Sequence, residues 1–244
     1  MLSNIRYRLT LFADYSNIYY SLNNTSKLIE SFSDEQLFSS VLSETDNMGN
    51  RRNGIVLFNN ERTFTVSIMS GRIDVVITSE EKEGFEESKL DLVRNKLTYA
   101  VKNIYDSFQD YIQDAYRMAW YTEYVYFEID EKMIIDYKNR FIKQVRCIEG
   151  IDTSEIEIQY AAVASTDVID FKERYNQIIR IERVFPQTIS SSFYVDGYRI
   201  SFDINTHQDN KKNRINIENI KEYIDAAIGF QMKLKGGFID EFIF

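Results

Sequence analysis

The chain has 244 residues, 44% of them hydrophobic and 14% aromatic, with 29 Lys+Arg against 38 Asp+Glu and a formal charge of -9. This is the usage of a folded globular protein of one large domain or two small ones, without a generally cationic surface for nucleic acid. A single cysteine, Cys147, and a single histidine, His207, exclude intramolecular disulfides, multi-cysteine zinc sites and metal centres built on several imidazoles.

The first residues carry Arg6 and Arg8 where a signal peptide needs an apolar core, and no apolar run reaches the length of a membrane span, so a cytoplasmic protein without membrane contact is expected. Ile5, Tyr7, Leu9 and Leu11 alternate with Arg6, Arg8, Thr10 and Phe12, the period-2 pattern of a half-buried strand. Residues 17–43 read as irregular chain with one short helix over 34–42, and residues 43–53 as a loop. A meander follows, with Ile55 to Phe58, then Phe64, Val66 and Ile68, then Ile73, Val75 and Ile77, turned at Asn59-Asn60 and Ser70-Gly71.

After the acidic run at 80–84, Leu90, Val93, Leu97, Val101, Ile104, Phe108 and Tyr111 recur every three or four residues, which predicts a helix of about six turns. Its stripe must be covered by the protein's own sheet or by a partner helix. The aromatic segment 116–129 predicts a long strand apolar on both faces. A second helix is predicted over 131–145, with strands over 155–164 and 177–185. Phe193 and Val195, the pair Asp196-Gly197, then Tyr198, Ile200, Phe202 and Ile204 predict a tight hairpin. The last helix is predicted over 216–235, stopped by Gly236-Gly237, with an amphipathic tail able to form an edge strand.

These elements predict an α+β fold: a mainly antiparallel sheet of meander and hairpins, with two long amphipathic helices and one shorter helix packed on one face. The chain reads as a single domain over 1–244, with two hairpin-plus-helix halves at about 1–129 and 130–244.

No phosphate loop, dinucleotide fingerprint or nucleophile elbow is present. The remaining catalytic option uses carboxylates: Glu182, Asp196 and Asp203 holding a divalent cation for nuclease or phosphodiesterase chemistry, with His207 beside them as acid or base. Asp196 is already accounted for by the turn, and Asp130-Glu131 by a helix N-cap. The expected function is therefore non-enzymatic and cofactor-free. The chain reads as a protein–protein interaction module, an oligomer or the accessory or inhibitory subunit of a larger assembly. Its expected interface comprises Leu90, Val93, Leu97, Val101 and Ile104 on the long helix, with Phe238, Phe242 and Phe244 in the tail. A third option is an acidic mimic of nucleic acid that blocks a DNA-binding protein. Nucleic acid itself is disfavoured by the net charge; the basic clusters are Arg51-Arg52, the second helix with Lys138, Arg140, Lys143 and Arg146, and the run 211–214.

Overall fold

The computed structural model describes residues 2–45, 49, 51–79, 87–127, 157–169, 171–184 and 197–242. Among them the strands are β1 (Leu2–Phe12), β2 (Phe38–Thr45), β3 (Arg51–Phe58), β4 (Phe64–Met69), β5 (Arg72–Ser79), β6 (Arg117–Phe127), β7 (Glu157–Val168), β8 (Phe171–Val184) and β9 (Gly197–Thr206). The helices are α1 (Leu22–Ser31), α2 (Glu87–Ser107) and α3 (Ile220–Phe242). The fold is α+β, with all nine strands in one sheet in the order β2-β3-β4-β5-β1-β6-β9-β8-β7 and every pair antiparallel.

The order mirrors itself about the central β1–β6 pair. On one side β1 is followed outward by β5, β4 and β3, and on the other β6 is followed by β9, β8 and β7. Each half opens with a central strand, returns to it through the last strand of a meander, and then adds a long helix, α2 or α3. The topological division falls between α2 and β6, and β2 is the additional strand of the first half.

Alternation decides the two faces of the sheet. Ile5, Tyr7, Leu9 and Leu11 of β1 are buried, as are Met118, Trp120 and Tyr124 of β6 and Ile200, Phe202 and Ile204 of β9. Helix residues meet this same face: Phe32, just past α1, and Lys96 of α2 both contact the Phe64 ring, and Gln231 of α3 bonds to Trp120. Leu97, Val101 and Ile104 of α2 and Tyr223, Ile224 and Ala227 of α3 complete a single hydrophobic core. The opposite face carries the other register: Arg6, Arg8 and Thr10 on β1, Arg117, Tyr121 and Glu123 on β6, and Arg199, Ser201 and Asp203 on β9.

Several expectations are corrected. The helix expected over 34–42 is instead a 3-10 turn at Ser33–Glu35 followed by β2, while a helix forms earlier, over Leu22–Ser31. Ser21 caps that helix by accepting from the Asn24 N–H at 3.2 Å, a signal the Ser/Asn-rich composition concealed. Strand structure continues to Thr45 and resumes at Arg51, so most of the expected 43–53 loop is paired. β6 is apolar on one face only, because Arg117 and Glu123 project opposite to Trp120 and Tyr124. Both sides of β9 are taken by β6 and β8, so residues 198–204 do not form the hairpin expected across Asp196-Gly197. Finally, α3 runs through Gly236-Gly237 to Phe242. Each glycine costs a helix about 1 kcal/mol relative to alanine, which is not enough to end it, and the described part of the tail, residues 238–242, is helix where an edge strand was expected. The predicted helix over 131–145 lies outside the described residues.

Candidate functional site

Among the described residues, the face of the sheet opposite the helix contacts is a mosaic of arginines, aromatic rings and small polar residues. Its position follows from period 2: in β1 every second residue from Ile5 is apolar, so Arg6, Arg8, Thr10 and Phe12 share the other side. Across the central strands Arg8 stands opposite Tyr121, and Tyr121 opposite Asp203. One residue pair along, Arg6 stands opposite Glu123, Glu123 opposite Ser201 and Ser201 opposite Arg180.

Three arginines lie over aromatic rings: Arg8 over Tyr121 at 4.7 Å, Arg117 over Phe12 at 5.1 Å, and Arg62 over Phe58 at 5.0 Å. Such stacking holds a planar guanidinium without consuming its N–H donors. Between the arginines the floor is small and buried, formed by Thr10, Ala119, Ser201 and Asn205. Asn205 Oδ1 accepts from Arg117 Nη2 at 2.9 Å and from Asn176 Nδ2 at 3.0 Å, and Asn205 Nδ2 donates to Asp203 at 3.0 Å.

Some charges on this face are neutralised internally. Asp74 accepts from Thr10 at 2.6 Å and pairs with Arg72 at 3.0 Å, and Arg199 pairs with Glu182 at 3.2 Å and lies 3.6 Å from Glu123. Among the described residues Arg6, Arg8, Arg117 and Arg180 make no ion pair, and Asp203 is the carboxylate of the central strands without one. The Nε groups of Arg8, Arg117 and Arg199 are buried and donate no hydrogen bond within the chain. The face therefore has a surplus of donors and of positive charge, although the chain as a whole is acidic. Tyr121 is pushed above the ordinary tyrosine range, first by burial and then by Glu123, to which its hydroxyl donates at 2.8 Å. It is a neutral phenol at physiological pH.

The residues singled out from sequence are not gathered into one centre. Glu182 stands opposite Arg199, and Asp203 opposite Ile178, four residues further along the β8–β9 ladder, a separation of about 13 Å at the strand rise. His207 follows β9; its N–H donates to the Arg174 carbonyl at 2.8 Å and its Nδ1 lies 3.2 Å from Asp209. Asp196 and Cys147 lie outside the described residues. Among the described residues no group of three or more His, Cys, Asp or Glu could hold a metal ion. No helix among them is long and apolar enough to cross a membrane.

Of the expected interface residues, Leu90, Leu97, Val101 and Ile104 are buried in the protein's own core and Val93 packs against it. Phe238 and Phe242 lie within α3, and Phe244 is outside the described residues. A recess of about 230 Å³ lies between the segment after β1 and the β2–β3 hairpin and is lined by Tyr19, Glu44 and Arg52. Glu44 accepts there from the Ser70 N–H at 2.7 Å.

Sequence reading missed the arginine face because its basic residues are not consecutive. Arg6, Arg8, Arg117, Arg180 and Arg199 come from four strands and meet only through register. The available signal was the placement of Arg6 and Arg8 on the polar side of the first strand. The sequence matches no known family model and no curated protein.

Proposed function

We propose that the protein is a non-enzymatic binding module whose working surface is the arginine-bearing face of the central strands, acting by contact as an accessory component of a larger cytoplasmic assembly. The observation that carries this reading is the pairing of Arg8 with Tyr121 and Arg117 with Phe12, cations held by rings and left without a carboxylate. In this reading α1, α2 and α3 form one layer that buries the apolar face, and the sheet presents its other side to a partner. The helix stripe first expected to meet a partner is consumed by the core, so recognition passes to the sheet.

Guanidinium groups fixed on rings suit an anionic surface, since each offers several donors in a preset plane and little rotamer freedom is lost on contact. The test is a titration with heparin, used as a generic polyanion, followed by the arginine Nε–H resonances. The expected result is movement of the Arg8 and Arg117 signals with the Arg94 signal stationary, because Arg94 lies on α2 and is paired with Asp91 and Asp225. Movement of Arg94 alone would place the anion-binding surface on the helices and defeat the reading.

A further inference from the structure

We propose that the arginine-bearing face binds single-stranded nucleic acid, with the Arg8–Tyr121 pair as its base-stacking platform and Arg6, Arg117 and Arg180 as its phosphate contacts. The inference rests on the reading of that face as the working surface and adds the chemistry of the partner.

Three features of the face select this partner. The first is sign. Four arginines without ion pairs surround the central strands, and a guanidinium can only donate, so the complement must be rich in acceptors and negative. The net charge of -9 is that of the whole chain; on this face Glu123 and Glu182 are paired with Arg199, which leaves Asp203 against the four arginines without ion pairs.

The second feature is planarity. Tyr121, Phe12 and Phe58 each carry an arginine stack, so the face is an array of flat cation–ring units rather than scattered point charges. Unstacked bases use both a π-face and a guanidinium plane. A duplex keeps its bases stacked on one another and offers these rings only its phosphates.

The third is the floor. A protein partner of ordinary kind needs large apolar anchors at the centre of its footprint. Here the centre is Thr10, Ala119, Ser201 and Asn205, small and buried residues flanked by arginines, with no large aliphatic anchor among them. Asp203 and the amides of Asn176 and Asn205 add hydrogen-bonding groups beside the ring of Tyr121.

The test is fluorescence anisotropy of the full chain with labelled oligo(dT) of about 20 nucleotides, the matching duplex and polyglutamate, between about 50 and 200 mM salt. The expected result is that oligo(dT) binds more tightly than its duplex, and that Arg6→Ala/Arg180→Ala reduces the log–log salt slope by about 1.4, at about 0.7 per phosphate lost. Tyr121→Leu weakens binding about tenfold while circular dichroism is unchanged. Arg6 is exposed, so Arg6→Ala alone serves if the Tyr121 variant unfolds; it lowers the slope by about 0.7. Polyglutamate binding that depends on Arg8, with oligo(dT) unbound, overturns the nucleic-acid proposal and leaves the working surface standing. Equal affinity for duplex and single strand overturns the stacking role. Failure of both polyanions to bind overturns this proposal together with the reading beneath it.

Discussion

Arg214 grips Glu173 with both arms of its guanidinium, Nε to Oε2 at 2.8 Å and Nη2 to Oε1 at 2.9 Å, with the two side chains only 11% and 2% exposed. The same guanidinium donates through Nη1 to the carbonyls of Tyr116, Asn210 and Lys212. One fork therefore ties the loop after β9 to β8 and to the segment entering β6. Removing one partner of a buried pair leaves an uncompensated charge, at a cost of about 3 to 5 kcal/mol. Glu173→Gln is expected to lower the unfolding free energy by that much, whereas Glu173→Leu/Arg214→Met loses less than the sum of Glu173→Leu and Arg214→Met measured singly. Equilibrium urea denaturation of the wild type and these four variants measures both quantities.

Gln231 is a second buried polar device, and it fixes α3 on the sheet. Its Oε1 accepts from Trp120 Nε1 and, at 2.8 Å, from Thr122, while its Nε2 donates to Tyr124 at 2.7 Å. Gln231→Leu removes the acceptor of the buried Trp120 N–H and Thr122 hydroxyl and should destabilise by about 3 kcal/mol, since each buried group left unsatisfied costs about 1 to 3 kcal/mol. Trp120 is the chain's one tryptophan and is fully buried, so its emission reports the change directly. The native emission should shift to the red in the variant, because an indole N–H without its partner admits water.

The turn between β7 and β8 is strained. Val168 pairs with Phe171, and Ile169 between them has φ of +54°. A β-branched residue in the left-handed region costs about 1 to 2 kcal/mol, and asparagine tolerates it far better. Ile169 is also 54% exposed, so little packing is lost on replacement. Ile169→Asn should raise the thermal midpoint, read by calorimetry, and an unchanged or lower midpoint would show that Ile169 makes a compensating contact.

Alkaline pH acts through the core phenols. Burial holds Tyr15 and Tyr175 well above the ordinary tyrosine range and pushes Tyr105 up to about 12. Below about pH 10 these groups are neutral in folded and unfolded chains alike, so they give stability no pH dependence. Above it the unfolded chain releases protons that the folded chain retains, and stability falls as pH rises. The urea midpoint should be level up to about pH 9 and decline beyond about 10, with phenolate absorbance lagging behind exposed tyrosines. A midpoint rising in that range would mean these hydroxyls ionise more readily inside the protein than outside it.

The parts of the fold that were legible in the sequence share one property: their pattern is carried by side chains that go into the core. The alternation of Ile5 to Leu11, the meander from Ile55 to Ile77 and the stripe from Leu90 to Ile104 all mark buried faces. Where the local pattern and the long-range pairing disagree, the pairing prevails. Tyr198 to Ile204 carries a tight-turn signal at Asp196-Gly197, yet β6 and β8 flank it, because a strand buried on one face gains more between two neighbours than at the end of a ribbon. The start of β8 at Phe171 was hidden by Lys172, Glu173 and Arg174, whose charges suggest a loop until the Glu173–Arg214 fork is seen. The candidate surface was the least legible part, since Arg8 and Tyr121 lie far apart in the chain and are neighbours only through the β1–β6 register.

Recognition through the sheet face rather than the helices is tested by a map of the contact itself. Photo-crosslinking of a 4-thiothymidine oligonucleotide to the intact protein, followed by peptide mass spectrometry, should place adducts on the β1 and β6 peptides that contain Arg8 and Tyr121. Adducts confined to peptides of the helix layer, such as the one carrying the exposed Tyr99 of α2, would contradict it.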